Sequence, residues 1–304
     1  MSYFRERVLQ LVSLPGFHEN PAALLARSAL WLIYCGIGYS PRFRLIDEVW
    51  FKVDPVLRLS GSTSAFVMRH WAEPELHYLD RLVGEHGVFI DCGANIGIYT
   101  VRGAAIVGSK GKVISVEPGA VSFKRLQRNI GLNEFPQVTL VNKAVSDTED
   151  TARLYHADGG PVAFSLVPKP NTDFEEVRTT TIDSLVEENK MNRVDCIKLD
   201  VEGAEVPALR GAKQTLSRLR PHVIFERTSP GQQRQAMSEE TPSLIMSLGY
   251  RLYRYPPRRI NSQIRYESPN VVAIHPDSGR SVPAFLEAWS PIETSVEDVS
   301  GISK

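Results

Sequence analysis

Two groups of residues have the types and spacing to do chemistry. The first is Asp91-Cys92-Gly93-Ala94-Asn95-Ile96-Gly97, directly behind the apolar run Val88-Phe89-Ile90. A buried strand, a glycine turn and a helix start leave unpaired N–H groups that attract a negative group. Gly93 can take backbone angles closed to other residues and lets a ligand approach the main chain. Asn95 reads as the N-cap of a helix through Tyr99, Val101 and Ala104, and Gly97 as a close-packing position. The second group is Asp200, Glu202, Glu205 and Glu226, at or just past the ends of two apolar runs. Carboxylates that converge can remove a proton from a hydroxyl, one of them raised in pKa by the others. Alternatively, Asp200 and Glu226 can hold Mg²⁺, which lowers the hydroxyl pKa. Glu202 and Glu205 also have a capping explanation around Gly203.

The glycines read G-x-x-x-G, not the G-x-G-x-x-G of dinucleotide sites. Asp91 stands immediately before them and would repel a pyrophosphate. It suits S-adenosylmethionine, whose ammonium and sulfonium are both cationic. The next strand, Val113 to Val116, delivers Glu117, whose carboxylate can accept both hydroxyls of a ribose. The competing reading is that Glu117 caps the following helix, with Pro118 at its first position. His70 and His222 are further candidate bases, although a lone histidine is more often structural.

These motifs resemble the FkbM-type methyltransferases. The resemblance rests on D-C-G-A-N-I-G (Asp91 to Gly97), V-E-P (Val116 to Pro118), N-K-A-V-S-D (Asn142 to Asp147) and T-I-D-S-L (Thr181 to Leu185). It rests above all on I-K-L-D-V-E-G-A-E (Ile197 to Glu205), followed by Leu209-Arg210-Gly211 and the run Pro221 to Glu226. Order and spacing agree from about Leu79 to Tyr250. Cys92 stands where the family more often has valine, a packing change. The resemblance implies a Rossmann-like class I methyltransferase fold, a mostly parallel seven-stranded sheet with helices on both faces. It implies S-adenosylmethionine as methyl donor and O-methylation of a hydroxyl on a sugar, glycolipid or natural product. It points to Asn142 and Ala144 beside the adenine, and to Asp200 beside the transferred methyl. The rival classes are a Rossmann-like nucleoside-binding protein without catalysis and an NAD-dependent sugar enzyme. The second lacks both its glycine fingerprint and a Tyr-x-x-x-Lys pair.

The elements that must position these groups follow from the apolar pattern. Strands are expected at Val88 to Ile90, Val113 to Val116, Val138 to Val141, Asp195 to Leu199, His222 to Phe225, Tyr250 to Tyr255 and Asn270 to Ile274. Short strands at Thr151 to Leu154, Ala163 to Val167 and Glu176 to Ile182 form an inserted β-excursion around the turn Asp158 to Pro161. Helices are expected at Ala72 to Val83, Val121 to Leu132 and Pro242 to Leu248, with a small β-element at Arg42 to Ser64. This divides the chain into an N-terminal helical/β extension or substrate-covering region (1–71), the Rossmann-like domain (72–276) and a polar tail (277–304).

The chain has 304 residues, with 35 basic and 35 acidic side chains. Zero net charge argues against bulk electrostatic binding of nucleic acid. A small-molecule or glycan substrate is the expected partner. Three cysteines without metal spacing or a disulfide framework suit a reducing compartment, hence a cytoplasmic location. The stretch 22–39 is apolar, yet its uninterrupted part is shorter than the roughly 20 residues that span a bilayer. It reads as a domain-covering helix or as a peripheral membrane contact. Arginines at 251, 254, 258, 259 and 265, interleaved with tyrosines, read as a solvated surface or as a subsite for an acidic substrate.

Overall fold

The structure, a computed structural model, describes residues 17, 19–56, 60–156, 164–165, 173–226, 235–255, 258–260, 263–266, 268 and 270–289. In chain order its elements are α1 (Pro21–Ile37), β1 (Arg42–Ile46), β2 (Val49–Lys52), α2 (Ser60–Met68), α3 (Leu79–Val83), β3 (Val88–Cys92), α4 (Ile98–Val107), β4 (Lys112–Val116), α5 (Ala120–Gly131) and β5 (Val138–Val141). There follow β6 (Ala144–Val145), β7 (Thr151–His156), β8 (Phe164–Ser165), β9 (Phe174–Thr180), α6 (Ile182–Glu188), β10 (Cys196–Leu199), α7 (Glu205–Arg210), α8 (Lys213–Leu219) and β11 (His222–Glu226). The last elements are α9 (Gln235–Ser247), β12 (Arg251–Arg254), β13 (Arg258–Ile260), β14 (Gln263–Tyr266), β15 (Asn270–Ile274) and β16 (Glu287–Ala288).

The central sheet has the order β16-β12-β15-β11-β10-β3-β4-β5. The five strands from β11 to β5 run parallel, and β15 lies antiparallel between β11 and β12. Side chains alternate across each strand with period two. Phe89, Val113, Cys196, Ile224 and Val272 therefore fill one core, and Ile90, Ile114, Ile197, Val223 and Ala273 fill the other. Burial on both faces is why these strands read as continuous apolar runs. The chain leaves β3 toward β4 on one side, and β10 joins on the other. Such a reversal opens a crevice at the carboxyl ends of the strands. This is the Rossmann-like methyltransferase sheet, with an eighth strand where seven are expected. The addition is β16, two residues antiparallel to β12.

Other expectations shift locally. Ser60–Met68 is helical, so the β-element ends with the β1–β2 hairpin. The helix expected over 72–83 divides into a 3₁₀ turn, Pro74–His77, and α3, because Pro74 holds the preceding residue extended. Helix α9 starts before Pro242, on a segment of good helix formers from Gln235. The excursion strands pair as β6-β9-β7-β8; the turn at 158–161 and residues 163, 166 and 167 lie outside the described residues.

The N-terminal extension is tied to the domain. Asn133 and Asn129 on and after α5 accept the Trp50 and Lys52 amides at 2.7 and 2.9 Å. Helix α1 buries Leu24 and Trp31 and packs on α2, with the Trp31 indole donating to Thr63 at 3.1 Å. Its other face leaves Leu32 and Ile37 60% and 69% exposed.

The tail is also anchored through residue 289. Asp195, buried below β10, accepts the Val88 amide at 2.8 Å, Arg193 Nε at 2.9 Å and Arg280 Nη2 at 2.8 Å. Removing this carboxylate strands an amide and a partly buried guanidinium together. Asp195→Ala is expected to cost about 3 kcal/mol in urea unfolding, the scale for breaking a buried pair. A loss below about 1 kcal/mol, the scale of an exposed pair, would remove Asp195 from this role.

Candidate active site

The turn after β3 is built by hydrogen bonds within the protein. Gly93 and Ala94 both donate their amides to the Val116 carbonyl at 3.0 Å. Asn95 is left-handed at φ 50°, and its amide donates to Glu117 Oε2 at 2.8 Å. It is therefore not the N-cap. That position falls to Gly97, at φ 95°, and the helix starts at Ile98. The left-handed turn delays the helix by two residues. A Cβ on Gly97 would press on Leu126 Cδ1 at 2.6 Å, so this glycine brings α5 close. A Cβ on Gly93 would overlap the Asp200 carbonyl oxygen. The space beside Gly93 belongs to the protein's own backbone.

Asp91 is fully buried and does not line the cleft described below. Its Oδ2 accepts the Thr100 hydroxyl at 2.6 Å, and the Thr100 amide also bonds to this carboxylate, so Asp91 satisfies the start of α4. Its Oδ1 has no hydrogen-bond partner among the described residues. Burial pushes its pKa up, and Lys198 opposes the shift. Glu117, 5% exposed, accepts the Gly119 amide at Oε1 and the Asn95 amide at Oε2, both at 2.8 Å. Burial pushes it up to about 7 against those two amides. Asn142 Nδ2 donates to the Glu117 and Pro118 carbonyls at 2.8 and 2.9 Å, which locks the main chain around Glu117. Ala144 is buried in β6 against Leu154 and Val177.

Beyond the strand ends lies a cleft of about 310 Å³. Its floor is the turn Gly93 to Ile96 with Ile98 and Tyr99, and its walls carry Lys198, Asp200, Glu202 and Glu226. The pairing of β10 with β11 sets Lys198 beside Ile224 and Leu199 beside Phe225, so the residues that follow both strands meet. Lys198 Nζ lies 3.0 Å from Asp200 Oδ2 and 4.7 Å from the Tyr99 ring centre. Burial disfavours its charge, but Asp200 and Asp91 outweigh this and raise its pKa. Glu226 is pushed up to about 7, first by burial and then by the charges of Asp200, Glu202 and Glu205. Strand β10 ends at Leu199, so Glu202 does not reach the cleft by strand alternation. It arrives through a left-handed turn at φ 53° and stands exposed at the rim. Glu205 Oε1 accepts the Gly203 amide at 3.2 Å, a capping role.

Neither candidate histidine lines this cleft. His222 opens β11 at the far end of the sheet and bonds the Leu82 carbonyl at 2.9 Å. His70 pairs with Glu19 at 3.0 Å. Among the described arginines, Arg251 is exposed on β12 and Arg254 faces Glu287 at 3.9 Å; neither lines the cleft. The side chains of Arg258, Arg259 and Arg265 lie outside the described residues.

Sequence reasoning missed four further lining residues, Gly61, Ser64, Glu73 and Asn270, the last of them the cross-strand partner of Glu226 in the β11–β15 pairing. Burial, followed by the charges of Glu75, Asp200 and Glu226, pushes Glu73 up to about 8. Glu75 is fully buried, where it accepts the Tyr99 hydroxyl at 3.3 Å and the Ser268 hydroxyl. The available signal was two glutamates flanking Pro74 inside an apolar pattern.

The family model described as the Methyltransferase FkbM domain matches residues 91–252, from the end of β3 into β12. The chain belongs to the FkbM methyltransferase family. The FkbM domain thus contains the glycine turn, Glu117 and all four carboxylates after β10 and β11. The chain is 29% identical over 182 residues to the hexuronic acid methyltransferase AglP of Haloferax volcanii, a match covering 59% of this chain and 67% of that protein. It is 25% identical over 172 residues to the methyltransferase sdnD of Sordaria araneosa, covering 46% of this chain and 66% of the relative. Among solved structures, an FkbM methyltransferase from Methylobacillus flagellatus is similar with a TM-score of 0.41 and 16% identity, over 84% of this chain and 59% of that one. Among the described residues, no helix is long and apolar enough to cross a membrane, and no three His, Cys, Asp or Glu side chains are placed to hold a metal ion together.

Proposed function

We propose that this methyltransferase uses S-adenosylmethionine to methylate a hydroxyl of a sugar, glycolipid or natural product. The observation that carries the reading is the charge of the cleft. Four carboxylates line it, and its one lysine is already paired with Asp200. That excess of negative charge fits a cofactor bearing an ammonium and a sulfonium. When bound, the cofactor supplies an electrophilic methyl group. The haloarchaeal relative, by name a hexuronic acid methyltransferase, supports a sugar as the class of acceptor, the acidic group being a feature of that relative's sugar.

In this reading Glu117 receives the ribose hydroxyls. A carboxylate has about four acceptor sites, and two backbone amides leave room for two more. Asn142 positions Glu117 from behind, and Asp91 holds the start of α4. The apolar side chains of Ile96, Ile98 and Tyr99 exclude water from the floor. Glu226 takes the proton from the acceptor hydroxyl, because its pKa lies near the working pH. Asp200 orients the acceptor while held by Lys198, and Glu202 closes the rim. A metal-free base is preferred over Mg²⁺ at Asp200 and Glu226, since the Lys198 ammonium would repel a dication next to Asp200.

The purified protein is expected to bind S-adenosylmethionine and S-adenosylhomocysteine in calorimetry, and not NAD. Glu117→Ala should weaken binding by about 1.5–3 kcal/mol, the loss of hydrogen bonds to a charged group. Unchanged affinity in a folded Glu117→Ala protein would refute the ribose role. Failure of the wild type to bind either compound would refute the function.

A further inference from the structure

The residues that line the cleft come from different parts of the chain. The floor and the wall with Lys198, Asp200 and Glu226 lie inside the matched family domain, residues 91–252. Gly61, Ser64 and Glu73 come before that domain, and Asn270 comes after it. We propose that these four residues form the acceptor subsite, and that Glu73 selects an acceptor presenting hydroxyl donors there over one presenting a carboxylate or phosphate. The proposal rests on the methyltransferase reading above and deepens it.

Three observations support it. First, Glu73 is positioned without using its own carboxylate. Its backbone is extended, at φ −132° and ψ 109°, because Pro74 follows. The 3₁₀ turn then carries Glu75 into the core, where Tyr99 and Ser268 hold it. Asn270, the cross-strand partner of Glu226, reaches the same Tyr99 hydroxyl through Nδ2 at 3.5 Å, so one tyrosine links the Glu73–Glu75 turn to the strand pair that carries Glu226. Second, among the described residues the Glu73 side chain makes no hydrogen bond or ion pair, although it is half-buried in the cleft. With no partner inside the protein among the described residues, the carboxylate oxygens are left to accept donors on a ligand in the cleft. Third, the cleft has no spare cation. Lys198 is paired with Asp200, and an acidic group on the acceptor would face Glu73, Asp200, Glu202 and Glu226 with no unpaired side-chain cation among the described residues of the cleft. Unpaired like charges are a means of rejecting a wrong ligand.

The rejection should depend on pH. Glu73 faces Glu75, Asp200 and Glu226 and is opposed by Lys198, and burial with these charges places its pKa at about 8. A neutral Glu73 can donate to an acidic acceptor; an ionised one repels it. Discrimination therefore grows as pH rises through about 8.

Methyl glucoside and methyl glucuronide make a matched pair of probes, differing at one carbon that is a hydroxymethyl or a carboxylate. Saturation-transfer NMR would measure both against the full chain saturated with S-adenosylhomocysteine, at pH 6.5 and pH 9. The wild type is expected to favour the glucoside by at least about tenfold at pH 9, with a smaller gap at pH 6.5. In Glu73→Gln, which keeps the shape, the gap at pH 9 should shrink by at least about threefold, the remainder being set by Asp200, Glu202 and Glu226. Equal binding by the wild type at pH 9, an undiminished gap in the loaded Glu73→Gln protein, or no transfer to either probe from the loaded wild type would each overturn the proposal. A wild type that takes up no S-adenosylhomocysteine would instead overturn the function on which it rests.

Discussion

Glu226→Gln is expected to lower methyl transfer by about 10² or more, the usual scale for a general base, while the protein stays folded. Release of S-adenosylhomocysteine in the presence of an active acceptor measures it. Glutamine keeps the shape and removes the proton-accepting charge. In the wild type the carboxyl is pushed up to about 7, so the rate should climb through that pH and level off above it. The variant should lose this limb along with the rate. The stability sign separates chemistry from folding. A carboxyl whose folded pKa lies above the unfolded value near 4.5 favours the fold while protonated, and that contribution is lost as pH rises through about 7. Glutamine cannot ionise, so the variant should melt no lower than the wild type at pH 8. A variant with normal turnover, or one that is inactive because it is unfolded, would end the base assignment.

Gly93→Val is expected to damage the fold itself. The residue sits at φ +77°, where a β-branched side chain is strained by roughly 1–2 kcal/mol. The added atoms would also overlap the Asp200 carbonyl oxygen, and overpacking costs roughly 1–3 kcal/mol more. The sum, about 3 kcal/mol, is a large part of a stability of roughly 5–15 kcal/mol. For a chain of this size it should lower Tm by roughly 6–12 °C or leave the protein insoluble. The glycine motif alone suggests another result, a stable protein with its ligand space filled. Thermal melting decides: a wild-type Tm with lost cofactor affinity would return the space beside Gly93 to the ligand.

The linear order of residues determined the parts of this protein that depend on short-range pattern. Apolar runs buried on two faces marked the parallel strands. The motifs Asp91 to Gly97, Val116 to Pro118 and Ile197 to Glu205 marked the methyltransferase domain, because strand, turn and helix follow one another within a few residues there. Glu226 was legible for the same reason, as a charge ending an apolar strand. Tertiary structure decided what those residues touch. Asn95 lost its cap role because Glu117, brought over by the β3–β4 pairing, draws its amide into a left-handed turn. Gly93 is required by the Asp200 backbone, more than a hundred positions away in the chain. Asp91 turned inward because Thr100 offers it both an amide and a hydroxyl. Glu73 joined the cleft through the packing of the segment before β3, and Asn270 through the β11–β15 pairing that sets it beside Glu226. Periodicity reports which face of an element is buried. It carries no information about which distant segment covers that face, and Gly61, Ser64 and Glu73 come to the cleft from such segments.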